Sequence, residues 1–509
     1  MHRGERHADA SRRTSDSGDW RSGPRAEQKL GERGGRSKRR PPSSVHAEGA
    51  RPRAGGPTRG ERSHAGEHPL REDLVTQAAL EAYRAIRHEG RLADRALDTV
   101  LRNKRHLYSN ERRAVAERVY ALLRRQRTVD ALLERAAPGI GRRSTSEQDL
   151  LRLAVSRVLH GENASAVARG SGLLGADAEV LNGLRAAQAD LSRLPEAERF
   201  AIEASLPDFL ATRFRSQLGD RVGDEVRAMN VRAPLTARTN LLKTTRDQLR
   251  ERLAQEGVET EPTPLSPLGL FLRTRINAFS LESFREGLFE LQDEGSQLLG
   301  MLVDAPPTRV VDACAGAGGK TLQLAAQMKN RGELFALDID ARRLGELKLR
   351  ARRAGAHNVR IRPIPPTGPE VSATLADLVG KADRVLVDAP CSGSGTFRRK
   401  PDARYRLTEA QLANHVERQK ALLEQFAPLV KPGARLIYGT CSMLREENED
   451  VVAAFLARHP EFSVLPPADR LGQELGAKVD SGGFLRVTPG QHGTDGFFGA
   501  TLVRARSAA

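Results

Sequence analysis

Between about residues 71 and 200, apolar side chains recur every three or four positions. Val75, Ala78, Ala79, Ala82 and Ile86 form one stripe, Leu97, Val100 and Leu101 a second, and Val115, Val119, Leu122 and Leu123 a third. A helix turns once in about 3.6 residues, so this spacing predicts amphipathic helices packed on a common core. Ser109 is the expected N-cap of the helix holding Arg112 to Leu123, because its hydroxyl can accept a first-turn N–H. Residues 206–290 mix two periods. LPDFLATRFRSQLG and TTRDQLRERLAQEG predict helices, the second ending near Gly257, while TARTNLLK, GLFLRT and GLFELQ predict strands. The mixture suggests a small α/β module. From residue 291 the two periods alternate strictly. Strands are expected over TRVVDAC, GELFALDID, VRIRPI, DRVLVDAP and ARLIYGTCS. Helices are expected over SQLLGMLVDA, KTLQLAAQMK, ARRLGELKLRARRAG, HVERQKALLEQFAPLV and ENEDVVAAFLARH. GTDGFFGATLVRA predicts a last strand at the sheet edge. Strands alternating with helices of this length predict an α/β fold with a doubly wound, mostly parallel, Rossmann-like sheet.

The first 70 residues change the picture. They carry Arg, Gly, Ser and Pro with almost no apolar side chains, so they cannot bury enough surface to offset the entropy of ordering. A disordered basic tail is expected over 1–70, serving as a non-specific RNA tether or as a solvated extension. The chain then divides into that tail, an all-helical domain at 71–200, the small α/β module at 206–290 and the parallel-sheet domain at 291–507. The formal net charge of +17 favours a polyanionic partner, since each phosphate contact releases counterions. The Arg-rich helical faces could grip phosphates or could be merely solvated. No apolar run reaches membrane-spanning length and the N-terminus lacks the apolar core of a secretory signal. A cytoplasmic protein with no membrane partner is therefore expected. The three cysteines, Cys314, Cys391 and Cys441, are odd in number and confined to one half, which is not a disulfide framework. No CxxC or HExxH spacing occurs, so no metal site is expected.

In doubly wound sheets, ligands bind beyond the C-terminal ends of the strands, and four unusual clusters fall at such ends. Asp312-Ala313-Cys314-Ala315-Gly316-Ala317-Gly318-Gly319-Lys320-Thr321 follows one strand and opens a helix. Its glycines permit a tight turn around a dinucleotide, a phosphate or adenosylmethionine. Asp338 ends the next strand, where a carboxylate can bind ribose hydroxyls or merely cap a helix, as could Asp340. Asp388-Ala389-Pro390-Cys391 puts a carboxylate and a thiol in one turn, followed by the basic run Arg398-Arg399-Lys400, suited to a phosphate backbone. Thr440-Cys441-Ser442 ends the neighbouring strand with a second thiol. Each cysteine alone could be a small buried hydrophobe; the pair with Asp388 points to chemistry.

The segments DACAGAGGKT, FALDID, DRVLVDAPCSGSGTFRRKPD and LIYGTCSMLREENEDVV resemble the motifs of the RsmB/NOL1/NOP2/Sun RNA cytosine-C5 methyltransferases. QDEGSQLL and GTDGFF fit the family's flanking motifs, and SNERRAVAERVYALLRRQRTVDALL resembles the NusB-like domain of bacterial RsmB-type members. The resemblance implies S-adenosylmethionine as cofactor and small-subunit ribosomal RNA as partner, with a monomer expected. It implies Cys441 as nucleophile, Cys391 as the residue that helps resolve the adduct, and Asp388 and Lys320 beside the reacting base. It also implies that Cys314, Ala315, Gly316, Ala317, Gly318, Gly319 and Lys320, with Asp338 and Asp388, line the cofactor site. The chain departs from the family at Gly316 (usually Ala), Ala317 (usually Pro) and Ile364 (commonly acidic). These departures predict a looser glycine turn and a changed wall on the adenine side. Three rivals are a catalytically decayed RNA-binding or ribosome-assembly protein, an NAD-dependent dehydrogenase, and a cytosine-C5 enzyme with Cys391 as nucleophile. A dehydrogenase gives the two cysteines no task.

Overall fold

The computed structural model describes residues 69–366 and 368–506; apart from its last two residues, the expected tail at 1–70 lies outside them. The three apolar stripes bury themselves as their spacing requires. Val75, Ala78, Ala79, Ala82 and Ile86 lie inward on the helix Glu72–Arg87. Leu97 and Val100 do so on Ala93–Asn103, as do Val115, Val119, Leu122 and Leu123 on Ser109–Arg124. Helices continue to Glu196–Ala204, with no strand among the described residues of this part. Ser109 is not the cap that the sequence suggests. The helix begins at Ser109 with Tyr108 in the N-cap position, and the Tyr108 N–H donates to Glu111 at 2.8 Å. Several arginines of these helices are engaged with acids of the same part. Arg157, only 5% exposed, binds Glu162 at 2.6 Å and Glu72 at 3.0 Å, and Arg152 binds Asp130 at 2.6 Å. Such side chains hold helices together rather than waiting for phosphates.

Four strands follow: β1 (Thr236–Thr239), β2 (Thr260–Pro262), β3 (Gly269–Leu272) and β4 (Phe289–Leu291). They form an antiparallel sheet in the order β2-β3-β1-β4. The helices Arg246–Gln255 and Glu282–Arg285 make the connections between β1 and β2 and between β3 and β4. This βαββαβ order is ferredoxin-like. As the sequence predicts, Gly257 follows the first of these helices, with φ of +76°.

The remaining strands are β5 (Arg309–Asp312), β6 (Glu333–Asp338), β7 (Val359–Pro363), β8 (Ala382–Asp388), β9 (Val430–Thr440), β10 (Phe462–Leu465), β11 (Asp480–Ser481), β12 (Phe484–Val487) and β13 (Phe497–Arg504). The sheet order is β11-β12-β13-β9-β8-β5-β6-β7, with β10 also paired to β13. The pairs β5–β6, β6–β7, β5–β8 and β8–β9 are parallel. The chain runs outward from β5 to β7 and then returns to β8 on the other side of β5. That reversal opens a crevice at the C-terminal ends of β5 and β8, where ligands bind in sheets of this kind. One expectation fails here: β13 is not an edge strand. It lies between β9 on one side and β10 with β12 on the other. Its first six residues are all buried, as befits a strand covered on both flanks and both faces. Among the described residues, no helix is long and apolar enough to cross a membrane.

Candidate active site

β5 ends at Asp312 and the chain turns into the helix Gly319–Gln327. Gly316 and Gly318 have φ of +54° and +90°, backbone that glycine alone adopts without strain. At Gly318 a Cβ would also lie 2.2 Å from Leu347 Cδ1, whereas on Gly319 it would meet nothing within 4 Å. The start of the helix therefore borders open space. β6 ends at Asp338, whose carboxylate accepts the Gly316 N–H at 2.7 Å and the Asp340 N–H at 2.8 Å. These bonds tie the end of the second strand to the glycine turn. Asp340, not Asp338, caps the next helix, accepting from Arg342 N–H at 3.0 Å and Arg343 N–H at 3.2 Å.

β8 and β9 are neighbours, so the turns that leave them meet. Asp388 Oδ2 lies 2.7 Å from Lys320 Nζ. Cys391 Sγ lies 3.4 Å from Cys441 Sγ. Cys314, Lys320, Asp338, Asp388, Cys391 and Cys441 all line one cleft of about 820 Å3, which Ile364, Arg418 and Phe497 also border. Ala315, Gly316, Ala317 and Gly318 form the adjoining turn, and Gly319 opens the helix. The electrostatics differ along the cleft. Burial pushes the Asp312 carboxyl up to about 7, and Thr321 Oγ1 donates to it at 2.7 Å. Burial likewise pushes up the Cys314 thiol. The hydrogen bond to Cys441, then burial, then the charges of Cys441 and Glu447 raise the Cys391 thiol well above its ordinary value. Cys391 therefore holds its proton at neutral pH.

The basic run after Cys391 does something other than the sequence suggests. Arg398 is 3% exposed, and its Nε donates to Asp495 at 2.5 Å. Arg399 pairs with the same Asp495 and, at 2.8 Å, with Asp293. These guanidinium groups pin the loop to the turn before β13, because buried arginine is stable only when paired. Lys400 is exposed. Sequence reasoning also missed Glu447, which is fully buried between the two cysteine turns; the acidic run around it carries no sign that one member faces inward. Nothing in the periodicity marks Arg418 as a cleft residue.

Residues 301–503 match the family described as 16S rRNA methyltransferase RsmB/F, and residues 206–278 match the RsmF/B-like ferredoxin-like domain. A Synechocystis protein named probable ribosomal RNA small subunit methyltransferase B is 32% identical over 448 residues, which is 84% of this chain and 99% of its own length. The chain belongs to the RsmB/F family. A Thermus thermophilus relative, named ribosomal RNA small subunit methyltransferase B, is 34% identical over 77% of this chain and 88% of its own. The crystal structure of a methyltransferase homolog protein from Pyrococcus horikoshii superposes on this RsmB/F chain with a TM-score of 0.51 and 29% identity, covering 61% of this chain and 99% of that one.

S-adenosylmethionine is the cofactor of this methyltransferase, and the cleft fits it. Its volume of about 820 Å3 lies within the range of ligand pockets, roughly 300–1,000 Å3. Asp338 offers a carboxylate at the end of the second strand with acceptor capacity beyond its two backbone donors. The open space at Gly319 leaves room beside the helix start, and the buried Asp312 Oδ1 has no donor of its own. Among the described residues, no cluster of His, Cys, Asp or Glu could hold a metal ion.

Proposed function

We propose that this chain transfers a methyl group to C5 of a cytosine in 16S rRNA, with Cys441 as the covalent nucleophile. The observation that carries this reading is a pair of thiols 3.4 Å apart, beside the Lys320–Asp388 ion pair, in one cleft. Unaided, C5 of cytosine is too weak a nucleophile to take a methyl group. Bond formation between Cys441 Sγ and C6 moves an electron pair onto C5, which then attacks. When bound, S-adenosylmethionine supplies the electrophilic methyl group. Asp388 hydrogen-bonds the N3 and exocyclic-amine edge and stabilises the adduct. Lys320, at 2.7 Å, fixes that carboxylate. Loss of the C5 proton to a base and cleavage of the C6–Sγ bond restore the ring double bond and release Cys441. Cys391 holds its proton beside that sulfur and assists the release. The residues of the glycine turn, Cys314 to Lys320, with Asp338 and Asp388, hold the cofactor.

A base stacked in a duplex cannot present C6 to a thiolate, so the target is flipped or single-stranded. The NusB-like helical domain and the ferredoxin-like module position the RNA through its backbone. Exchange of the two cysteine roles is the second reading. Cys441→Ala is expected to abolish both methyl transfer and covalent trapping. Cys391→Ala is expected to accumulate a protein–RNA adduct on a denaturing gel. An adduct that needs Cys391 and survives loss of Cys441 reverses the assignment. Bisulfite sequencing of 16S rRNA from cells with and without the gene tests the cytosine itself; unchanged methylation supports the reading of a decayed RNA-binding protein.

A further inference from the structure

We propose that Glu447 is a positioning residue that holds the two thiols in register, by tying the turn after Cys391 to the turn after Cys441 through one buried carboxylate. The inference rests on the two-cysteine reading above. Glu447 has no exposed surface. Its Oε1 accepts the Ser392 N–H at 2.7 Å and Gln419 Nε2 at 3.1 Å. Its Oε2 accepts the hydroxyls of Ser392 and Ser442. Ser392 directly follows Cys391 and Ser442 directly follows Cys441, so one group fixes the residue next to each sulfur. Gln419 extends the tie, because its Nε2 also donates to the Pro390 carbonyl at 3.0 Å on the other side of Cys391.

The main chain of Glu447 is fixed in turn. Tyr438 donates its hydroxyl to the Glu447 carbonyl at 2.6 Å. The neighbouring Asn448 accepts from Thr440 Oγ1 at 2.6 Å and donates to the Ser442 carbonyl at 2.9 Å. A carboxylate has about four acceptor positions. Here four neutral donors fill them, which leaves Glu447 no capacity to act as an acid or base on substrate. An ionised group in such a site is sustained only by complete hydrogen bonding. Its uncancelled charge faces Cys391, and it contributes to the rise of that thiol. Geometry and charge therefore act together: the ties hold the sulfurs close, and the field keeps the proton on Cys391.

The test uses the full-length protein and compares Glu447→Gln, Glu447→Asp and Ser392→Ala. Glu447→Gln keeps the shape but replaces one acceptor oxygen with a donor. It is expected to lower kcat by about tenfold or more, with KM for 16S rRNA and for S-adenosylmethionine within about twofold of wild type. Alkylation of Cys391 by iodoacetamide, followed against pH by peptide mass, reports the field without any RNA. Its midpoint is expected to fall in Glu447→Gln and to stay at the wild-type position in Glu447→Asp, which keeps the charge but not the reach. Ser392→Ala keeps the charge and cuts one tie, so kcat falls while the midpoint stays. A carboxylate that only supports the fold would lower kcat through the folded fraction and leave the Glu447→Gln midpoint unmoved; that result overturns the proposal. Should Glu447→Gln not fold, wild-type kcat in Ser392→Ala overturns it instead. If the wild-type enzyme makes no 5-methylcytosine, the cytosine reading fails, and the alkylation profile still decides the role of Glu447.

Discussion

The three loops that build the reactive end of the cleft meet glycine on glycine, and Gly395→Ala tests how tightly. The Gly395 N–H donates to the Cys441 carbonyl at 3.0 Å, and the Gly496 N–H donates to the Gly395 carbonyl at 2.8 Å. A Cβ on Gly395 would lie 2.2 Å from Gly496 O and 2.7 Å from Gly496 C and Cα. Those are backbone atoms with no rotamer to change, so the loops must part by about 1 Å to reach ordinary contact. Overpacking of this kind costs about 1–3 kcal/mol, and weakening the two backbone hydrogen bonds adds about 1 kcal/mol each. The Cys441 carbonyl moves with its partner. Misplacing a catalytic group by about 1 Å can reduce the rate by about 100-fold. The assay is single-turnover transfer of labelled methyl into 16S rRNA, alongside a thermal melt. Gly345→Ala is the control. It lies within the helix Ala341–Ala354, its added Cβ would meet nothing within 4 Å, and removing a helical glycine gains about 0.5–1 kcal/mol. Wild-type rate with an unchanged melt in Gly395→Ala would refute the claim that backbone contact between the loops sets the sulfur positions.

Two further outcomes follow from the electrostatics. Asp312, raised from its ordinary 3.8 to about 7, keeps a proton in the folded protein that the unfolded chain releases between those values. Stability from this group therefore falls as pH rises through that window and levels off above it. Asp312→Asn removes the slope, so melting temperature relative to wild type should rise from pH 4 toward pH 8; a constant difference counts against the assignment. Arg399→Met should lower the melting temperature through loss of the Asp293 and Asp495 pairs. It should leave the salt dependence of RNA binding at its wild-type slope, because a guanidinium that touches no phosphate releases no counterion. A shallower slope restores the phosphate role suggested by the sequence.

What the sequence revealed, and what it hid, follow from the range of the forces involved. β5 and β8 were legible because a strand covered on both faces must be apolar throughout, and Val310-Val311 and Val385-Leu386-Val387 are. Cys391 and Cys441 were legible because each ends such a strand. The strands outside β13 were not. β11 is two exposed residues, and β10 and β12 are four residues each, too short to establish an alternation. Without them, β13 reads as an edge. The fate of Arg398 and Arg399 was hidden for another reason: their acidic partners lie about a hundred positions away, 97 for Asp495 and 105 for Asp293 from Arg398. A charge is visible in sequence, but the partner that neutralises it is a property of the fold. Glu447 combines both difficulties, since it sits among acids that read as solvated and its donors come from Ser392, Gln419 and Ser442.

The departures at the glycine turn show how the fold can replace what a family residue usually supplies. Alanine in place of proline at 317 predicts a looser loop, yet the Ala317 carbonyl accepts from Arg350 Nη1 at 2.7 Å. On the other side of the turn, the Ala315 N–H donates to Leu337 O at 2.9 Å and the Gly316 N–H donates to Asp338. The turn is held by three bonds from two elements, so the rigidity that a proline ring provides locally comes here from tertiary contacts. Glycine at 316 suits the backbone, which is at φ +54°, and a Cβ there would need the Arg343 guanidinium, 2.8 Å away, to shift. Ile364, 6% exposed, donates its N–H to the Asp338 carbonyl at 3.0 Å and packs against the core where the core borders the cleft. The third strand thus presents an apolar wall to the cleft where the family commonly presents a charge. The carboxylates that remain, Asp338 and Asp388, stand at the ends of the second and fourth parallel strands of the chain, β6 and β8.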